Sequence, residues 1–128
     1  MFEEVPFDTS PLSHADLDHF HGSDTFYRHP AFKKFCFTEG VQFLANSGGA
    51  YWLIEKIFAC QSCVASLSNQ HFTTWTLTRN KTGKGARLVC TDGNENELYG
   101  ENILFTDFPL QSITLWLTNN TLLLPSEY

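Results

Sequence analysis

The chain has 128 residues, with 8 Lys and Arg against 14 Asp and Glu, a net charge of −6, 42% apolar residues and 15% aromatic ones. That length and composition fit one domain with a bulky aromatic core rather than a disordered chain. The acidic balance opposes general attraction to nucleic acid or anionic membranes, and no stretch approaches the ~20 apolar residues of a membrane span.

The opening "MFEEVPFDTS" has neither a basic n-region nor an apolar h-region, so the sequence reads as a soluble, cytoplasmic protein. Residues 1–12 read as extended or poorly ordered, at the start of a single domain over 1–128. Ser13 with Asp16 three positions on resembles a capping box and starts a short helix that Gly22 closes. On it His14, Asp18 and His21 fall at i, i+4 and i+7, within about 60° of one another, and these residue types ligate iron, manganese or zinc. The outer two are about 10 Å apart along the axis, a poor fit to one ion. Surface pairing of Asp18 with a histidine, and His21 near the negative end of the helix dipole, explain the trio equally well. No metal and no cofactor is therefore expected.

In "FYRHP", Phe26 to Pro30, Arg28 is the first Lys or Arg of the chain. With Tyr27 and His29 it has the chemistry to hold a carboxylate or phosphate. The plainer alternative is that Arg28 balances the surrounding acids and Pro30 marks a loop. "FKKFCFTEG" then gives a strand-like run from Phe35 to Phe37, after which Thr38 caps a helix with Val41, Leu44 and Ala45 on one face. Gly48-Gly49 ends that helix. A second begins near Ala50, with Ala50, Leu53, Ile54, Ile57 and Gln61 along one stripe. Trp52 projects about 160° from Ile54, off the main core face and alongside Lys56 and Cys63.

Cys60 and Cys63 could clip a zinc ion, but only His19, His21 or His71 could complete the site, and a redox C-x-x-C opens a helix rather than ending one. They read as structural thiols. All four cysteines read as reduced.

From residue 71 the hydrophobic period changes from 3.6 to 2. "HFTTWTLTR" (71–79), "ARLVC" (86–90), "ENILFTD" (101–107) and "ITLWLT" (113–118) read as strands, with Arg79, Lys81, Lys84 and Arg87 concentrated around a solvated hairpin loop. Asn119-Asn120 suits a two-residue turn that sets Leu117 against Leu122 and Leu115 against Leu124. Trp116 and Leu123 then meet on the second face, which calls for a second layer, a dimer contact or a ligand surface. The expected fold is α+β, with N-terminal helices packed on one face of a C-terminal antiparallel sheet of four to five strands.

No nucleophile elbow, phosphate loop or dinucleotide fingerprint is present. "FTEG" at 37, "CTDG" at 90 and "FTDF" at 105 place Glu39, Asp92 and Asp107 beyond strand-like runs, as ordinary turns also do. "YRH" (27–29), "FTEGVQFLA" (37–45), "GGAYWLIEKI" (48–57) and "FTDFPL" (105–110) resemble, in order, the motifs of an uncharacterised family of small bacterial proteins, over about residues 17–117. Phe37 stands where that family usually has Tyr. The resemblance implies bacterial origin and directs attention to Tyr27, Arg28, His29, Glu39, Tyr51, Trp52 and Asp107.

Two functional expectations follow. The first is a binding or regulatory module that engages a protein partner or a second copy, with Tyr27, Arg28, His29, Tyr51, Trp52 and Trp116 as contact residues. The alternative is a small hydrolase or ligand-binding enzyme with a Tyr27, Arg28, His29 and Glu39 pocket, in which His29 is general base, Arg28 the anion clamp and Asp107 a further catalytic candidate. Nucleic-acid binding rests only on the 79–87 stretch and ranks third.

Overall fold

The computed structural model describes residues 25–128. The expected helix at Ser13–Gly22, the trio His14, Asp18 and His21, and residues 1–12 lie outside them. Seven strands form one mixed sheet: β1 (Phe26–Arg28), β2 (Cys36–Thr38), β3 (Phe72–Arg79), β4 (Ala86–Thr91), β5 (Glu97–Ile103), β6 (Ser112–Thr118) and β7 (Thr121–Leu123), in the order β1-β2-β7-β6-β3-β4-β5. Helices α1 (Glu39–Gly48), α2 (Tyr51–Cys63) and α3 (Ala65–Ser68) lie between β2 and β3 in the chain, and a 3-10 turn, Pro125–Glu127, follows β7. No helix among the described residues is long and apolar enough to cross a membrane.

This corrects the expected fold class. The helices are not N-terminal to an antiparallel sheet of four to five strands, because β1 and β2 precede α1 and extend the sheet to seven, and β2 pairs with β7 in parallel. The reasons are that β1, with three residues, is too short to display a period of 2, and that β2, strand-like in the sequence, joins β7 through a parallel pairing of residues distant in the chain. Expected strand "ENILFTD" is also displaced. The strand runs Glu97–Ile103, leaving Leu104 and Phe105 beyond it, 92% and 62% exposed.

The rest follows local rules. The Thr38 hydroxyl accepts from Val41 N (3.3 Å), capping α1, and Gly49 ends it at φ 61°. Along α2 the stripe Leu53, Ile54 and Ile57 is buried, with Ala50 just ahead of it. In β3 and β6 burial alternates, so Trp75, Leu77, Leu115 and Leu117 face the helices while threonines line the other face. The Asn119-Asn120 turn has φ of 51° and 61°, and Leu117 pairs with Leu122 as expected.

One packing fact bears on the sites. His29, beyond β1, lies 3.5 Å from Glu55 of α2, and Glu101, on the opposite edge strand, lies 3.3 Å from Lys56 of the same helix turn. Seven strands laid flat span about 29 Å at ~4.8 Å spacing, well over the ~10–12 Å width of a helix. Side chains of one turn of α2 therefore reach both outer parts of the sheet.

Candidate functional site

The Tyr27-Arg28-His29 run alternates across the pleat. Tyr27 points inward, pairs with Phe37 in register and stacks on its ring at 5.7 Å. Tyr51, at the start of α2, donates its hydroxyl to Asn46 Oδ1 (2.6 Å), and burial first, then nearby Tyr27, pushes the Tyr51 pKa up. Arg28 donates to the backbone carbonyl of Lys33, across the β1–β2 loop.

His29 is buried between Phe32 (5.2 Å) and Phe58 (6.0 Å). Its Nδ1 accepts from the amides of Ala31 (3.0 Å) and Phe32 (3.2 Å), and its Nε2 faces Glu55 Oε1 at 3.5 Å. Two amides on Nδ1 fix the tautomer with the proton on Nε2. The lone pair that a general base needs is thus committed to the loop.

The other expected pocket residues do not join this cluster. Register pairs Arg28 with Cys36 and Phe26 with Thr38, so His29 and Glu39 lie beyond opposite ends of the β1–β2 ladder. Their backbones are separated by about 13 Å along the strands, at ~3.3 Å per residue. Asp107 is exposed in the loop after β5, on the far edge of the sheet, where the preceding Thr106 caps Phe108 N (3.1 Å). The partner His29 does find, Glu55, lies within the "GGAYWLIEKI" motif but was not among the residues to which the resemblance directed attention.

Trp52 is half-buried against the core. Trp116 lies on the outer face, opposite Leu123, with the rings of Phe72 at 5.6 Å and Tyr128 at 5.4 Å. The chain's own C-terminal residue thus supplies part of the second layer.

A further polar cluster was not visible in the sequence. Glu101 on β5 receives Lys56 Nζ (3.3 Å), the Tyr99 hydroxyl (3.1 Å) and the Cys60 thiol (4.0 Å). Burial, then the hydrogen bond with Cys60, raises the Tyr99 pKa, and burial likewise raises that of Cys60. A thiol held protonated is a poor nucleophile, so the cluster fastens α2 to β5. Its only sequence signals are the i, i+4 spacing of Lys56 and Cys60 and the i, i+2 spacing of Tyr99 and Glu101, readable once β5 is known to start at Glu97. Cys63 is exposed, and all four cysteines are free. Among the described residues no group of three His, Cys, Asp or Glu side chains could hold a metal ion.

The Thr-Glu-Gly motif has a structural use. Glu127 of the C-terminal turn accepts from the Thr38 hydroxyl (2.6 Å) and Leu124 N (2.9 Å) through Oε1, and from Gly40 N (3.3 Å) through Oε2. A Cβ at Gly40 would lie 2.7 Å from that carboxylate, so glycine makes the room. Elsewhere, a polar cleft of about 230 Å³ is lined by Gln61, Gln70, His71, Leu117, Asn119 and Asn120.

A family model described as a family of unknown function (DUF6876) matches residues 12–128. No curated protein and no solved structure matches the chain. With nearly the whole chain matched, the protein belongs to that family, as the motif order had led us to expect at the level of a family without assigned activity.

Proposed function

We propose that this member of the DUF6876 family is a non-enzymatic binding or regulatory module that engages a protein partner or a second copy through the outer face of its sheet. The observation that carries this reading is the aromatic group on that face. Trp116 is half-buried between Phe72 and Tyr128, and Tyr128 is 80% exposed. A Trp flanked by aromatics, with polar threonines around it, is the composition of a contact patch rather than of a wetted sheet face. Tyr27, Arg28, His29, Tyr51 and Trp52 contribute indirectly, by holding the β1–β2 loop and α2 in place. The enzymatic alternative would need both amides on His29 Nδ1 to be released before that atom could take a proton, which favours the binding reading. Four free thiols favour a cytoplasmic setting.

The test is affinity capture and light scattering on the full chain and on Trp116→Ser. The reading expects association by the wild type that Trp116→Ser loses while keeping its fold by circular dichroism. A strict monomer that retains no protein through Trp116 would overturn it.

A further inference from the structure

The outer edge of β5 is charged in an ordered way. At its start, the turn from β4 carries Asp92 and Glu95, and Glu97 opens the strand. At its end lies the β3–β4 loop, held there by Thr106 N donating to Lys84 O (2.7 Å) and carrying Lys81 and Lys84. The strand between them is 7 residues long, which separates an acidic end from a basic one by about 20 Å at ~3.3 Å per residue.

On one side β5 pairs with β4. On the other, Ser66 Oγ donates to the Leu98 carbonyl (3.2 Å), and no strand pairs with Tyr99–Ile103 among the described residues. Just past that edge, Leu104 is 92% and Phe105 62% exposed, with Lys84 Nζ 5.6 Å over the Phe105 ring. An open strand edge is a template for another strand, and uniform charge is a common defence against it. Here the charge is divided by sign between the two ends.

We infer that two copies of this chain associate through their β5 edges in antiparallel fashion about a two-fold axis. In that arrangement the Lys81–Lys84 loop of each copy faces the Asp92–Asn96 turn of the other. A parallel arrangement would set acid against acid and base against base. The same two-fold axis brings Leu104 and Phe105 of each copy over its neighbour's strand start, adding apolar burial to the ladder. The inference rests on the associating role proposed above but uses a surface remote from Trp116, so the two fail separately.

Sedimentation equilibrium on the full chain, at low and high salt, tests it. The wild type is expected to form dimers that weaken with salt, since exposed charge pairs are screened. Lys84→Glu or Glu95→Lys alone should weaken association about tenfold, since each breaks an attraction twice over and replaces it with repulsion. Lys84→Glu combined with Glu95→Lys should restore it, because the reversed charges again face each other. Both positions of change, Lys84 and Glu95, are exposed loop sites, and circular dichroism verifies the fold. A wild type that stays monomeric overturns the inference. So does a dimer indifferent to both single charge reversals, or one lost with Trp116→Ser alone, and an unrestored double variant counts against the two-fold arrangement.

Discussion

The contact between the C-terminal turn and the start of α1 makes a prediction with an unusual sign. The Thr38 hydroxyl, 3% exposed with its residue, donates to Glu127 Oε1 at 2.6 Å while accepting from Val41 N at 3.3 Å. Glu127→Ala removes the acceptor from that hydroxyl and from Leu124 N, and takes a negative charge from the helix N-terminus. A charged hydrogen bond contributes about 1.5–3 kcal/mol and a helix-end charge about 0.3–1 kcal/mol. Glu127 is only half-buried, so the lower ends apply and the expected loss is about 2 kcal/mol, or about 5–10 °C in Tm for a domain of this size. Glu127→Gln keeps an acceptor oxygen and should lose about half as much.

Gly40 decides whether this accounting is right. In a helix, Gly to Ala normally stabilises by about 0.5–1 kcal/mol. Here the added Cβ meets Glu127 Oε1 at 2.7 Å and Cδ at 2.8 Å, so Gly40→Ala must push the carboxylate out of its place. In the wild-type background it is expected to destabilise by about 1 kcal/mol, and in the Glu127→Ala background to stabilise by about 0.5 kcal/mol. Urea unfolding of the four proteins gives the cycle directly. If Gly40→Ala stabilises the wild type, or if the two effects simply add, the carboxylate is not seated against Gly40 and the reasoning fails.

Other expectations are simpler. His29→Ala strands the Ala31 and Phe32 amides and opens a cavity beside Phe58, a loss of about 2–4 kcal/mol, whereas His29→Asn keeps a side-chain acceptor two bonds from Cβ and should lose less; hydrogen exchange at residues 31 and 32 follows the difference. Asn120 has φ 61°, so Asn120→Gly should stabilise by about 0.5 kcal/mol, and a lower melting temperature would show that the turn is not of the I′ type. Burial pushes the Cys90 thiol from 9.0 up to about 12, so its contribution to stability is complete below pH 9 and is lost as the pH rises toward 12. Cys90→Ala should flatten that alkaline slope in a pH series of urea midpoints. A thiol reagent at neutral pH should modify Cys63 first and reach Cys60 and Cys90 only after unfolding, which a mass-mapped time course will show.

How much of the fold was readable depended on element length. Eight residues of β3 alternate through four full periods, and the Asn-Asn turn announces its hairpin chemically, so β3, β6 and their inward leucines were accessible. Thr38 and Gly49 bracket α1 with residues whose capping geometry is local, and α2 has a clean stripe. The parallel β2–β7 join has no local signature at all, since it is made by residues 85 positions apart, such as Cys36 and Thr121. In β5, Gly100 and Glu101 disguised the strand: Gly100 has no side chain to show the period, with the Arg87 guanidinium lying over it, and Glu101 is turned inward to Lys56.

Tyr27-Arg28-His29 poses a different question. An anion clamp and a loop-closing segment draw on the same residue types, and the difference lies in which atoms the backbone has already taken. One part of that difference was in the sequence. Pro30 follows His29 and has no N–H, so the first amides within reach of the imidazole are those of Ala31 and Phe32, and these are the two that Nδ1 accepts. A histidine before proline, with a short loop returning to an adjacent strand, is therefore placed to act as an acceptor for its own turn, much as Asn or Asp does in an Asx turn. The order Tyr-Arg-His-Pro then reads as inward ring, outward cation on a carbonyl, and buried turn cap. Each of the three side chains thereby has a contact that helps to hold the β1–β2 edge.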